Sequence, residues 1–341
     1  MSNWNRVKVL GKGSHGIVFL AVPTSAPLDF VALKVVSIEY SYSLMIEETI
    51  LLNFNGCPEI IQRVGSGICF EGDSLDTVTY NLALEYATGG SLTDLIRRRE
   101  KLPEVEVKEY LRMILRGLCC IHERGYVHGD IKPDNILVFP DDTGKMKLKI
   151  ADFGLSKKCD EFEEVVISTN AKPRFRGTPK YMSPESILFG MINTSLDIWS
   201  LGCILIEMVS GKQVWSDCKT LGQLAKKVVN QMDLPADIPD ELSREGRDFL
   251  SKCIDQKFEQ RWTANMLLKH PYLKEEYEVD ELPSTQSMHD LSNLEWFKEE
   301  DFYENYFELK SQDKWISDFD LLQDLYCSQE NKTIKKDDDI A

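Results

Sequence analysis

Six short motifs stand in one order between residues 128 and 261. The first is His128-Gly129-Asp130-Ile131-Lys132-Pro133-Asp134-Asn135. Asp152-Phe153-Gly154 follows, 22 residues after Asp130. Gly177-Thr178-Pro179, Ser183-Pro184-Glu185 and Asp197-Ile198-Trp199-Ser200-Leu201-Gly202 come next, and Arg261 closes the series. One such motif could mislead, because a lone Asp or Glu is most often a solvated surface charge. The ordered set is highly specific.

Upstream, the chain reads as strand, glycine turn, strand. Val7, Val9 and residues 16–22 have the β-branched, alternating character of strands. Between them, Gly11-Lys12-Gly13-Ser14-His15-Gly16-Ile17-Val18 fits G-x-G-x-x-G-x-V. Without Cβ the backbone can turn sharply, and its N–H groups can approach phosphate oxygens closely. Alone the motif is weak. A dinucleotide fingerprint would require a helix directly after it and an acid about 20 residues on. Here a second strand follows, then a third, Val31-Ala32-Leu33-Lys34, and Asp29 precedes that strand.

Lys34 lies 18 residues after Gly16, where a neighbouring antiparallel strand would bring it under the glycine turn. Residues 42–54 have a helical pattern. Leu44 and Met45 lie four and three residues before Glu48, and Leu51 and Leu52 three and four after it. That spacing centres Glu48 on the apolar face, where an acid needs a cationic partner. Glu48 is therefore expected to pair with Lys34, with Glu47 as its competitor.

Taken together, these motifs resemble the eukaryotic protein kinases, from about Trp4 to Leu273. The resemblance implies an α+β, bilobal kinase fold over residues 4–274. The smaller, mainly β lobe would run to about residue 86 and the mainly helical lobe over 87–274, with ATP between them. By resemblance, the glycine turn (Leu10, Gly11, Gly13, Gly16 and Val18) covers the ATP phosphates, and Ala32 lines the nucleotide site. Lys34, held by Glu48, contacts the α- and β-phosphates. Leu84 is the gatekeeper, and backbone groups of Glu85 and Ala87 bond the purine edge. Asn135 and Asp152 hold Mg2+, whose hard charge prefers oxygen ligands. Asp130 accepts or orients the proton of the substrate hydroxyl, and Lys132 reaches the γ-phosphate. A lysine at this place is similar to serine/threonine kinases. Thr178 shapes the landing site of the substrate. Glu185 pairs with Arg261, and Asp197 holds the catalytic loop from a buried helix.

Residues 84–92, 128–130 and 177–185, with Arg261-Trp262-Thr263-Ala264 and residues 268–273, resemble plant mitogen-activated protein kinase kinase kinases of the MEKK class. Such enzymes phosphorylate Ser/Thr in the activation loop of MAP kinase kinases. A serine/threonine kinase outside that cascade is the alternative. A catalytically dead scaffold acting through the tail is a rival that the filled catalytic positions weigh against. Two positions depart from the family. Gly129 replaces the usual arginine, which puts phosphate control of the activation segment in doubt, although Ser168 and Thr169 lie near Lys172, Arg174 and Arg176. Ser183 replaces an alanine, a change expected to be silent.

Charge divides the chain. Residues 275–341 hold 20 acidic and 6 basic side chains, a net of −14, out of −16 for the whole protein. The same segment carries 10 of the 33 Phe, Tyr and Trp residues. A plain solvating tail is acidic and poor in aromatics. The spacing of Trp296-Phe297, Phe302-Tyr303, Tyr306-Phe307 and Trp315-Ile316 suits short amphipathic helices. They would dock on the protein's own kinase domain or on a protein partner. The negative charge argues against general affinity for nucleic acid. No apolar run approaches the roughly 20 residues of a membrane span. The best candidate, residues 201–209, is broken by Glu207. The first residues lack the apolar region of an export signal. Nine cysteines without a C-x-x-C pair argue against a disulfide framework, and no redox role can be assigned to Cys119-Cys120. A reducing compartment, cytoplasmic or nuclear, is the expectation.

Overall fold

The computed structural model describes residues 4–13, 16–24, 30–70, 78–159, 177–230 and 242–274. Five strands open the fold: β1 (Trp4–Gly13), β2 (Gly16–Pro23), β3 (Val31–Ser37), β4 (Arg63–Phe70) and β5 (Val78–Glu85). They form one antiparallel sheet in the order β1-β2-β3-β5-β4. Burial along β3 alternates with the two-residue period of a strand. Val31, Leu33 and Val35 pack with Ala21 and Ala83 into a core flanked by Trp4 and Phe19. Ala32 and Lys34 are thereby turned to the other face. Helix α1 (Tyr42–Leu52) joins β3 to β4.

The second lobe is mainly helical. It contains α2 (Leu92–Arg99), α3 (Glu104–Glu123), α4 (Pro184–Phe189), α5 (Thr194–Ser210), α6 (Leu221–Asn230), α7 (Arg244–Cys253) and α8 (Ala264–Leu268). Helix α5 includes the apolar run at 201–209 and is buried from Leu196 to Val209. A helix apolar all round belongs in a core, and this one is the axis of the lobe. Its first turn is capped by Asn193, whose side chain accepts from the Leu196 N–H, and it ends at Gly211 with φ of +70°. Against α7 the packing is close. A Cβ on Gly202 would stand 2.5 Å from Ile254 Cγ2.

Two small antiparallel pairs place the polar motifs. β6 (Tyr126–Val127) pairs with β9 (Lys157–Lys158), and β7 (Ile136–Pro140) pairs with β8 (Met146–Ile150). The β7–β8 hairpin consumes most of the spacing between Asp130 and Asp152. It returns the chain so that the Ala151 N–H donates to the Asn135 carbonyl at 2.8 Å. Met1–Leu273 forms one compact unit. Among the described residues, no helix is long and apolar enough to cross a membrane.

Candidate active site

The site is assembled where β3, α1 and the loops around β6–β9 meet. In the β2–β3 register Val18 stands opposite Lys34, and in the β3–β5 register Ala32 stands opposite Leu84. The glycine turn therefore lies over the lysine strand. Gly16 has φ of +116°, and a Cβ there would run into the Val35 carbonyl. That position tolerates only glycine. Space is open around Gly11 and Gly13, and Leu10 is exposed at the end of β1. Ser14 and His15 lie outside the described residues.

Lys34 Nζ donates to Glu47 Oε1 at 2.5 Å and to Asp152 Oδ1 at 3.0 Å. Burial pulls the lysine down, but the two carboxylates outweigh it and hold the ammonium above its ordinary range. The acid on Lys34 is thus Glu47, which corrects the expectation for Glu48. Glu48 faces β4 and β5 instead. It accepts from Arg63 Nε and Ser66 Oγ, both at 2.5 Å, and from the Tyr80 hydroxyl. Burial raises this carboxyl, but the bonds from Ser66, Tyr80 and Arg63 outweigh it and hold it below its ordinary range. The miss has a geometric reason. Leu52 is 47% exposed and Met45 half-buried, so neither marks the core face. The buried residues are Leu44, Glu47, Glu48, Ile50 and Leu51, and both acids lie on that stripe. Glu47 stands three residues from Leu44 and from Ile50, so the spacing in the sequence fits it as well as it fits Glu48.

The catalytic loop hangs from α5. Asp197, fully buried, accepts the His128 N–H at 2.9 Å, the Gly129 N–H at 3.0 Å and the ring of His122 at 2.9 Å. The contribution of His122 was not foreseen. His128 has partners at both ring nitrogens. Its Nε2 lies 3.1 Å from the Ala151 carbonyl, and its Nδ1 accepts the Asp130 N–H at 3.2 Å. Its ring also meets Phe153 edge-on at 4.9 Å. At Gly129, φ is +79° and a Cβ would stand 3.1 Å from the Leu155 carbonyl.

Asp130 is the centre of a closed set of bonds. Its Oδ1 accepts the Thr178 N–H at 2.9 Å and the Thr178 hydroxyl at 2.8 Å. Its Oδ2 accepts Lys132 Nζ at 2.7 Å and Asn135 Nδ2 at 3.1 Å. Lys132 also donates to Thr178 Oγ1 at 2.7 Å. Every donor on this carboxylate fixes its orientation. Beside it a pocket of about 50 Å³ is lined by Leu155, Thr178, Met182, Met191 and Ile192, among others.

Asp152 carries its carboxylate on a backbone with φ of +67°, a region that ordinary side chains avoid. With the Asn135 amide nitrogen engaged on Asp130, the oxygen of that amide is left as a hard donor, as is the Asp152 carboxylate, and oxygens of this kind fit magnesium. No group of three or more His, Cys, Asp or Glu among the described residues is arranged to hold a metal alone. Magnesium needs only one or two protein oxygens where phosphates and water supply the rest.

At the edge of the site, Leu84 is buried and the Glu85 N–H donates to the Gln62 carbonyl at 3.1 Å. The Glu85 carboxylate takes Lys149 Nζ at 2.7 Å and the Gln62 N–H at 2.9 Å. The Ala87 carbonyl accepts the Gly90 N–H at 3.2 Å. Further into the large lobe, Arg261 grips Glu185 through both Nη atoms, at 2.7 and 2.8 Å, with both side chains buried. Ser168, Thr169, Lys172, Arg174 and Arg176 lie outside the described residues, as does the tail at 275–341.

Residues 4–273 match the model of the protein kinase domain. Similar proteins include three from Arabidopsis thaliana. Mitogen-activated protein kinase kinase kinase 20 is 38% identical over 285 residues, covering 81% of this chain and 80% of the relative. Mitogen-activated protein kinase kinase kinase 18 is 36% identical, with coverages of 80% and 77%. Mitogen-activated protein kinase kinase kinase 17 is 34% identical, with coverages of 81% and 71%.

Proposed function

The chain belongs to the protein kinase family, homologous to the serine/threonine MAP kinase kinase kinases, and from that we propose that it phosphorylates activation-loop Ser/Thr of MAP kinase kinases. The observation that carries the chemistry is the fixed carboxylate of Asp130, set between Thr178, Lys132 and Asn135. Protein kinases generally use ATP and magnesium. When bound, the metal neutralises phosphate charge.

The residues divide the work. The glycine turn, through backbone N–H groups, covers the phosphates, and Lys34 contacts them while Glu47 holds its ammonium in place. Asn135 and Asp152 supply the oxygens for magnesium. Asp130 orients the substrate hydroxyl and takes its proton as the oxygen attacks phosphorus. Lys132 stands beside that carboxylate, placed to meet charge on the transferred group. Leu84, Glu85 and Ala87 border the purine. The choice of substrate rests on similarity to the relatives.

The experiment is direct. Purified full-length protein is incubated with labelled ATP, magnesium and a panel of inactive MAP kinase kinases. Label on activation-loop Ser/Thr of at least one is expected. Asp130→Asn should fold normally and lower transfer by roughly 10²–10⁴-fold, the usual contribution of general acid–base catalysis. If a generic protein substrate is labelled and no MAP kinase kinase is, the substrate reading fails. If Asp130→Asn keeps full turnover, the role of Asp130 fails.

A further inference from the structure

Away from the site, Cys57 and Cys120 are joined sulfur to sulfur, 63 residues apart in sequence. This differs from the expectation that no redox role can be assigned to Cys119-Cys120. Cys57 lies in the connection between α1 and β4, and Cys120 near the end of α3, so the bond runs from one lobe to the other. Among the described residues, Cys69, Cys119, Cys203, Cys218 and Cys253 stand outside any disulfide. A chain with that many free thiols is not built around disulfides, and a single bridge in such a chain has the character of a sensor.

The surroundings assign the two sulfurs different parts. Arg124 Nη1 donates to Cys120 Sγ at 2.9 Å and to the Cys120 carbonyl at 3.1 Å. The same guanidinium lies 5.8 Å from the centre of the Phe54 ring, which fixes it at the lobe boundary. A cation on sulfur favours the thiolate, the form that attacks. Neighbouring Cys119 has the opposite setting, since burial and then Glu123 push its thiol up to about 11. Cys57 is buried and has no need to react first.

The connection that carries Cys57 is already organised. The Gln62 amide donates to the carbonyls of Phe54, Cys57 and Ile60, and its oxygen accepts the Gly56 N–H. The segment is pinned to the large lobe by Ile61 N–H to the Ile150 carbonyl and Ile150 N–H to the Glu59 carbonyl. Its other end leads back into α1, which holds Glu47 on Lys34.

We propose that Cys57 and Cys120 are a peroxide-responsive thiol pair whose bridge fastens the α1–β4 connection to α3. The Cys120 thiolate attacks hydrogen peroxide, breaking the O–O bond and releasing hydroxide, and becomes a sulfenic acid. The Cys57 thiol then attacks that sulfur, the S–O bond breaks, and water leaves with the thiol proton. Sulfur loses two electrons in all, and the peroxide oxygens take them.

The test uses full-length protein, first reduced and then exposed to hydrogen peroxide, digested without reductant and read by mass spectrometry. One linked peptide pair, Cys57 with Cys120, is expected. It should vanish in Cys57→Ser and Cys120→Ser and persist in Cys119→Ser. Arg124→Met should slow its formation severalfold, and dithiothreitol should reverse it. Amide exchange over residues 53–62 should slow severalfold in the bridged protein. A different partner for Cys120, or its conversion to sulfinic acid without a bridge, overturns the pair. A bridge that leaves exchange unchanged overturns the fastening. None of these readouts depends on phosphoryl transfer.

Discussion

Glu47 and Glu48 sit side by side on one buried stripe and do different things. Glu47 holds the lysine of β3, whereas Glu48 ties α1 to β4 and β5. The two substitutions should therefore separate. Glu47→Gln should lower turnover by roughly 10²-fold through a misplaced Lys34, with little change in melting. Glu48→Gln should cost about 1–3 kcal/mol of stability and leave turnover of the folded protein near normal. The pH dependence has a sign as well. The Glu48 carboxyl is held below its ordinary range in the folded protein, so its contribution is present above the unfolded value. It is lost as pH falls through the folded one. The Gln variant should accordingly lose stability less steeply in that acid window, a difference that melting curves across pH would show. The sequence made an acid on the apolar face legible, but not which of two. That choice depends on the roll of α1 against the sheet, which is set by tertiary packing.

At the scale of elements, the order of motifs predicted which residues meet, while the connecting devices were silent. The spacing of Asp130 and Asp152 did not announce the β7–β8 hairpin; the alternation of apolar and charged residues over Met146–Ile150 fits a half-buried strand, but nothing in it names the partner strand. Helix α5 showed in the sequence as an apolar run and, by resemblance, as the buried helix that carries Asp197, and in the structure it anchors the lobe. Asp197 at its start holds the catalytic loop, and the carbonyl of Ser195 accepts from Arg261. The Arg261–Glu185 pair is bidentate and out of water. Removing one partner leaves a buried charge uncompensated, so Arg261→Met should destabilise by about 3–5 kcal/mol. Thermal melting checks this, and an unchanged midpoint would contradict it. Gly129 supports a different expectation. With no side chain at that place to reach a phosphate, the loop is already held by Asp197 and by His128. Phosphatase-treated protein, with phosphate removal confirmed by mass, is expected to keep substantial activity. A near-complete loss would show that other basic residues have taken over that task.

Across the whole molecule, charge and compactness divide at the same place. Residues 1–274 carry 36 acidic and 34 basic side chains, a net of −2, and Met1–Leu273 forms one compact unit. The remaining 67 residues hold nearly all of the net charge and ten aromatic side chains. Composition changes sharply there, but the partner of the aromatics is not encoded in composition. Large rings left in water favour association, and since the tail lies outside the described residues we propose its docking as a matter for experiment. The kinase domain of the same chain is favoured by effective concentration over a separate partner. The acidic side chains would add orientation and salt sensitivity to that contact. A chain ending at Lys274 should therefore fold and melt cooperatively, and its turnover should differ from that of the full-length protein. The difference should shrink as ionic strength rises, and a separate peptide of residues 275–341 should restore part of it at low salt. Trp296→Ala or Trp315→Ala in the full chain should mimic part of the truncation. Equal turnover of both chains at every salt concentration, with the same labelled substrates, would remove any role for the tail in controlling the kinase.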